Sequence, residues 1–271
     1  MDLSIIIVNY NSGRLVKACV DSIRRSPPKA TYEVIVVDNA SEDDSRELLA
    51  TEVPGIQFFP QESNLGLARG VNVGMKVARG DLILTLNPDI LVLHDAIDRL
   101  LEFAKEHPQA AVVAGQLLNP NGSVQDSCFR FYTPFTILAR RTPLGLLPAG
   151  RRYLQRVLLG EYDHASPRAV DWVLGACMLV RRSAIDIVGS MDPRFFLYFE
   201  DMDWCRRFWE AGFQVWYVPS ARFAHYYKRA SAQEAGFSAL FQPITRIHIA
   251  SGFKYFWKYR GKGALPGRRA S

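Results

Sequence analysis

Residues 32–50 read YEVIVVDNASEDDSRELLA. Val34 to Val37 form an unbroken apolar, β-branched run, the pattern of a strand buried on both faces, as parallel sheets require. The run stops at Asp38, and Ser41 to Ser45 supply short polar side chains that favour a helix start. The same alternation extends outward. LSIIIVNY (3–10) precedes a segment with Leu15, Ala18, Cys19 and Ile23 at helical spacing, and IQFF (56–59) precedes LARGVNVGMKVARG (67–80). DLILTLNPD (81–89) follows. Strands alternating with helices predict an α/β, Rossmann-like fold: a mostly parallel central sheet with helices on both faces. Ligands of such sheets lie beyond the carboxyl ends of the strands. The polar residues there are Asn9, Asp38 and the Asn87-Pro88-Asp89 group.

The second half is less regular. AAVVAGQLL (110–118) reads as a strand, NPNGS (119–123) as a turn and DWVLGACMLV (171–180) as another strand. EDMDWCRRFWEAG (200–212) reads as a helix closed by Gly212, and FQVWYVP (213–219) as a strand ended by Pro219. From Ala232 the pattern is helical, interrupted at Pro243. This predicts one domain over 1–231, with a basic insertion at 127–160, and a basic, aromatic helical tail over 232–271.

The 271 residues are 48% hydrophobic and 22% charged, ordinary for a globular chain. Cys19, Cys128, Cys177 and Cys205 form no Cys-x-x-Cys pair, which argues against a zinc site or disulfide scaffold and suits a reducing compartment. The first residues read as a strand, not a signal peptide, and no apolar run reaches the ~18 residues of a membrane span. A cytoplasmic chain, peripheral at the inner face of the membrane, is the expectation. The net charge of +6 is concentrated. Ser127 to Gly160 and Ala235 to Ser271 contain no acid, and without them the chain has an acidic excess. Their cations alternate with large apolar groups, as in FYTPFTILARR and FKYFWKYRGKG. That pairing suits an anionic membrane surface better than nucleic acid, and a core-packed insertion with a solvated charged face is the plainer reading.

Taken singly, the polar residues have two readings each. Asp38 is a helix-capping loop residue or an acceptor for a nucleobase or ribose. Asn87 and Asp89 make a turn, or supply oxygens that hold Mg²⁺ or Mn²⁺ against a diphosphate. Arg69 and Asn72 contact a nucleotide or solvent, and His225 is structural or a ligand. The glycines at 66, 70, 74 and 80 fit neither a dinucleotide fingerprint nor a P-loop. In RFFLYFEDMDWCRR (194–207), Glu200, Asp201 and Asp203 either open a helix or keep a general base beside a substrate.

Together, SIIIVNYN, EVIVVDNASED, NLGLARGVNVG, LTLNPD and FFLYFEDMDWCRR resemble, in order, the family 2 glycosyltransferases of the GT-A fold. The resemblance is to the bacterial rhamnosyltransferase and galactofuranosyltransferase branch, and it runs from Leu3 to about His225. It implies an inverting, metal-dependent transferase that moves a sugar, rhamnose from dTDP-rhamnose in the favoured case, to a lipid-linked saccharide for cell-envelope polysaccharide. Asp201 matches the catalytic base, and Asn9, Asp38, Asn64, Arg69, Asn72, Asn87 and Asp89 the donor site. Trp172, Glu200, Asp203 and Trp204 match the acceptor side, and Asp89 with His225 the ligands of a divalent metal. Asn87 departs from the usual Asp-x-Asp by giving a neutral oxygen. A polyprenyl-diphosphate-linked acceptor is the implied partner. The competing classes are a sugar-phosphate nucleotidyltransferase, for which VNYNSGRLVK is a poor match, and a non-catalytic nucleotide-binding adaptor.

Overall fold

A computed structural model of the chain describes residues 1–226 and 243–262. In chain order the elements are β1 (Leu3–Asn9), α1 (Gly13–Arg25), β2 (Tyr32–Asp38), α2 (Ser45–Glu52), β3 (Gln57–Pro60), α3 (Leu67–Val77), β4 (Leu82–Leu86), β5 (Ile90–Val92) and α4 (Ala96–Glu106). They continue with β6 (Ala110–Leu118), β7 (Cys128–Phe129), α5 (Pro134–Arg141), a 3-10 turn (Pro143–Leu146), α6 (Pro148–Val157), β8 (Arg168–Ala169), β9 (Trp172–Val173) and β10 (Cys177–Arg181). Last come α7 (Arg182–Val188), α8 (Glu200–Glu210), β11 (Gln214–His225) and α9 (Pro243–Lys258).

The main sheet runs β3-β2-β1-β4-β10-β6-β11-β5, with β8 beside β11. β1 pairs in parallel with β2 and β4, β2 with β3, and β6 with β11. β10 is antiparallel to both neighbours. Side chains alternate across this sheet. Ile5 and Ile7 meet Val16, Val20 and Ile23 of α1 with Leu100 of α4 on one face. Ile6 and Val8 meet Val71 and Met75 of α3 with Met202 and Phe208 of α8 on the other. The expected mostly parallel sheet with a helical layer on each side is the fold that forms.

Two local expectations change. The strand expected over 171–180 splits at Leu174-Gly175-Ala176 into β9, which pairs with β7 of the insertion, and β10 of the main sheet. Side-chain packing on two different layers, with Gly175 against Asp201, breaks the run. The strand expected to stop at Pro219 continues to His225. Its register against β6 shifts between Val218 and Arg222, so Pro219 sits in an irregularity where its missing N–H costs no ladder bond. Asn87-Pro88-Asp89 leads into the short β5, and α4 begins at Ala96. The tail forms a helix from Pro243, whereas the helix expected over 232–242 lies outside the described residues. Among the described residues, no helix is long and apolar enough to cross a membrane.

Candidate active site

Three polar groups stand at the carboxyl edge of the sheet, two set there by the strands they end or follow and the third by the helix it opens. Asn9 and Asp38 pair in the β1–β2 register and are both fully buried. Asp38 accepts from Asn9 Nδ2 at 2.8 Å, Arg46 Nε at 2.8 Å and the Ser41 amide at 3.2 Å, and from the Ser41 hydroxyl. Burial alone would raise its pKa, but the bonds from Ser41, Arg46 and Asn9 outweigh that and hold it below the ordinary carboxylate value. A donor group can reach Asp38 only by displacing a present partner, and the half-exposed Arg46 is the one open to solvent.

The second group follows β4. The Asn87 amide donates to Ala176 O at 2.9 Å, and the Asp89 carbonyl receives the Tyr226 amide at 2.9 Å. Asp89 Oδ1 lies 3.4 Å from His225 Nε2, and His225 Nδ1 lies 2.7 Å from Gln125 Oε1. A carboxamide oxygen only accepts, so Nδ1 donates to it and Nε2 is the ring nitrogen on the Asp89 side. A carboxylate oxygen and an oriented imidazole nitrogen are donors that Mg²⁺ or Mn²⁺ accepts. Among the described residues no cluster of three His, Cys, Asp or Glu could hold a metal. Asp89 and His225 are thus a pair of candidate donors and not a complete ligand set.

The third group opens α8. Asp201 Oδ2 accepts from the Gly175 amide at 2.9 Å and Oδ1 from the Met202 amide at 2.8 Å. Burial raises its pKa against those backbone bonds. Glu200 is also buried; desolvation and the Asp201 charge push its pKa well up, and its Oε2 has no hydrogen-bond partner among the described residues. Tyr198 and Phe199, just ahead, both have φ of 69°, a left-handed conformation that non-glycine residues adopt at a cost of ~1–3 kcal/mol each.

Contacts join these groups. The link Leu174-Gly175-Ala176 binds Asn87 at one residue and Asp201 at the next, so the segment of Asp89 and the acid of α8 share three residues of backbone. On the other flank, Asn39 Nδ2 donates to Gly66 O at 3.0 Å, and the Leu67 amide donates to Phe196 O at 2.8 Å. Gly66 has φ of 78°, and a Cβ there would lie 2.3 Å from Phe196 O, so a glycine is required.

The other expected residues are engaged differently. Asn64 Oδ1 accepts from the Gly66 amide at 3.0 Å. Arg69 Nε donates to Pro193 O at 3.1 Å, and Asn72 exchanges two bonds with the Met191 backbone, so both residues brace the loop that leads to α8. Asp203 is fully buried and accepts from Arg207, Lys258 and Tyr259, which makes it an anchor for α9 and not an acceptor contact. Trp204, expected on the acceptor side, has no exposed surface, and its indole donates to Gly189 O at 2.9 Å, so it has no ring face to offer a substrate. Trp172 donates to Arg130 O and packs on Phe129 and Tyr132, in the core between the insertion and α8. Gln125, Arg46 and Gly175 carry parts of the site that sequence reasoning missed. Each acts through one long-range contact, and no local pattern marks them.

The family model described as "Glycosyl transferase family 2" matches residues 4–186. N-acetylglucosaminyl-diphospho-decaprenol L-rhamnosyltransferase of Mycobacterium tuberculosis (strain ATCC 25618 / H37Rv) is 27% identical over 294 aligned positions, 99% of this chain and 90% of that protein. Rhamnosyltransferase WbbL of Escherichia coli (strain K12) is 25% identical over 94% of this chain and 93% of its own length. Among solved structures, GalNAc-T7 with UDP, GalNAc and Mn²⁺ matches with a TM-score of 0.62 at 16% identity, over 84% of this chain but 44% of that one. At that identity the likeness is one of fold. With more than half its residues inside the family model, the chain belongs to glycosyl transferase family 2.

Proposed function

We propose that the chain transfers a sugar, with inversion, from a nucleotide donor to a saccharide carried on a polyprenyl diphosphate. Rhamnose from dTDP-rhamnose is the favoured donor, since two full-length relatives are rhamnosyltransferases by name. The observation that carries the reading is the shared link: Asn87 and Asp201 are held on adjacent residues of one backbone segment. A sugar hydroxyl is a poor nucleophile, and Asp201 takes its proton as the new bond forms. Burial raises the basicity of that carboxylate, while the Gly175 and Met202 amides fix its direction. Asn9 and Asp38 mark the nucleoside end, and Asp89 and His225 would hold a divalent metal. When bound there, the metal supplies positive charge against the departing nucleoside diphosphate. Direct displacement by the activated hydroxyl inverts the anomeric centre.

The basic, apolar surfaces of residues 134–156 and of α9 support a peripheral seat on anionic lipid at the inner face of the membrane. Titration with dTDP-rhamnose and UDP-sugars, with and without Mn²⁺ or Mg²⁺, tests the donor. The Asp201→Asn protein is expected to keep nucleotide affinity within about twofold and to lose transfer by about 10²–10⁴-fold. Wild-type turnover by that variant would remove Asp201 from the mechanism.

A further inference from the structure

We infer that the cationic pocket between the loop after β3, the 193–196 loop and α9 receives the diphosphate of the prenyl-linked acceptor, an assignment that rests on the lipid-linked reading above. The pocket measures about 510 Å³, inside the ~300–1,000 Å³ range of small-molecule sites. Arg69, Arg194 and Lys254 line it, with Asn64, Leu65 and Phe196. Arg194 is paired with Asp192. Arg69 and Lys254 spend one donor each on the backbone carbonyls of Pro193 and Arg194, and among the described residues neither forms an ion pair with a carboxylate. Two cations without acid partners among the described residues, held over a half-open cavity, are a receptor for a multivalent anion.

The apolar surroundings narrow that anion. Leu65 and the 38% exposed Phe196 form part of the wall. Lys254 sits on α9 directly after Phe253, which is 74% exposed and stands between Ile249 (51%) and Trp257 (63%) at four-residue intervals. A charged pocket therefore opens beside an apolar stripe on the same helix, the polarity of an isoprenoid diphosphate. Phe196 of the pocket wall lies five residues before Asp201 in the chain. The donor diphosphate belongs elsewhere. Asp89 follows β4, whereas Ser63 to Leu65 follow β3, three strand spacings away, about 14 Å.

Calorimetric titration of the full chain with farnesyl diphosphate, farnesol, inorganic pyrophosphate and dTDP with Mn²⁺ tests the assignment. Farnesyl diphosphate is expected to bind at least about tenfold more tightly than farnesol or pyrophosphate. Lys254→Glu is expected to weaken it by about tenfold or more and Lys254→Met by about threefold, with dTDP affinity changed less than twofold in either. Unchanged farnesyl diphosphate affinity in Lys254→Glu overturns the assignment. So does an equal loss of dTDP affinity, which would give the pocket to the donor. Pyrophosphate binding as tight as farnesyl diphosphate overturns it too, by making this a free-anion site. Slow donor hydrolysis by the wild type separates the two levels: hydrolysis without farnesyl diphosphate binding sinks the pocket alone, and no hydrolysis of any nucleotide sugar sinks the transferase reading itself.

Discussion

Glu200 and Asp201 are adjacent buried carboxyls whose pKa values both rise, Asp201 by burial and Glu200 further, by burial and the charge of Asp201. A raised folded pKa means that the native state binds protons the unfolded chain would release. Stability from this pair is full below the unfolded carboxyl value and falls as pH rises through the folded one. Glu200→Gln removes that penalty without changing shape. Its melting temperature is expected to exceed that of the wild type at pH 8 and to match it near pH 4, the ordinary range of a free Glu. A variant less stable than the wild type at pH 8 would show that the Glu200 charge is compensated. At the proposed metal end, Gln125 fixes the ring of His225 through Nδ1. Gln125→Leu leaves both ligands in place but frees the ring. Mn²⁺ affinity in the presence of dTDP, read by paramagnetic resonance, is expected to fall about 10–100-fold, the usual cost of losing an outer partner. No change would make Gln125 a packing residue.

At the scale of elements, α9 is held by its inner face. Ser251 donates to Leu197 O, Lys254 to Arg194 O, and Lys258 to both Asp192 and Asp203. Asp203→Ala leaves Arg207, Lys258 and Tyr259 without their common acceptor. Breaking one side of such a buried pair costs about 3–5 kcal/mol. Urea unfolding should report a loss of that size, with nucleotide affinity retained in whatever fraction stays folded. A loss below 1 kcal/mol would mean that water replaces the carboxylate. The elements of the first half were legible in the sequence because Val34–Val37 and Ile5–Val8 are buried on both faces and nothing else explains such runs. Asp203 and Trp204 were misread for a physical reason. A motif places residues in the right helix, but which side of its first turn faces the cleft depends on packing by α9, far away in sequence. Arg69 and Asn72 went the same way, since their partners at Pro193 and Met191 belong to a loop without a pattern. The burial of Asp201 was legible, since an acid placed directly after an aromatic run is crowded by apolar groups.

For the whole molecule, charge and apolar surface are segregated. Phe135, Leu138, Leu146 and Leu147 of the insertion are exposed beside Arg140, Arg151 and Arg152, and α9 presents Phe253 and Trp257 beside Lys254 and Arg260. Sedimentation with vesicles of anionic phospholipid is expected to carry the protein down at 0.05 M salt and to lose most of it at 0.5 M, as screening shortens the reach of the cations. Equal sedimentation with neutral vesicles would leave the apolar groups alone responsible. The ammonium of Lys258 has a further consequence. It grips Asp192 before the left-handed pair and Asp203 after it, so one side chain staples both ends of the turn that carries Asp201. A turn pinned at each end keeps its aim whether or not substrates are present. On the proposed reading, adjustment on loading falls to Asp38, whose half-exposed partner Arg46 has room to move aside.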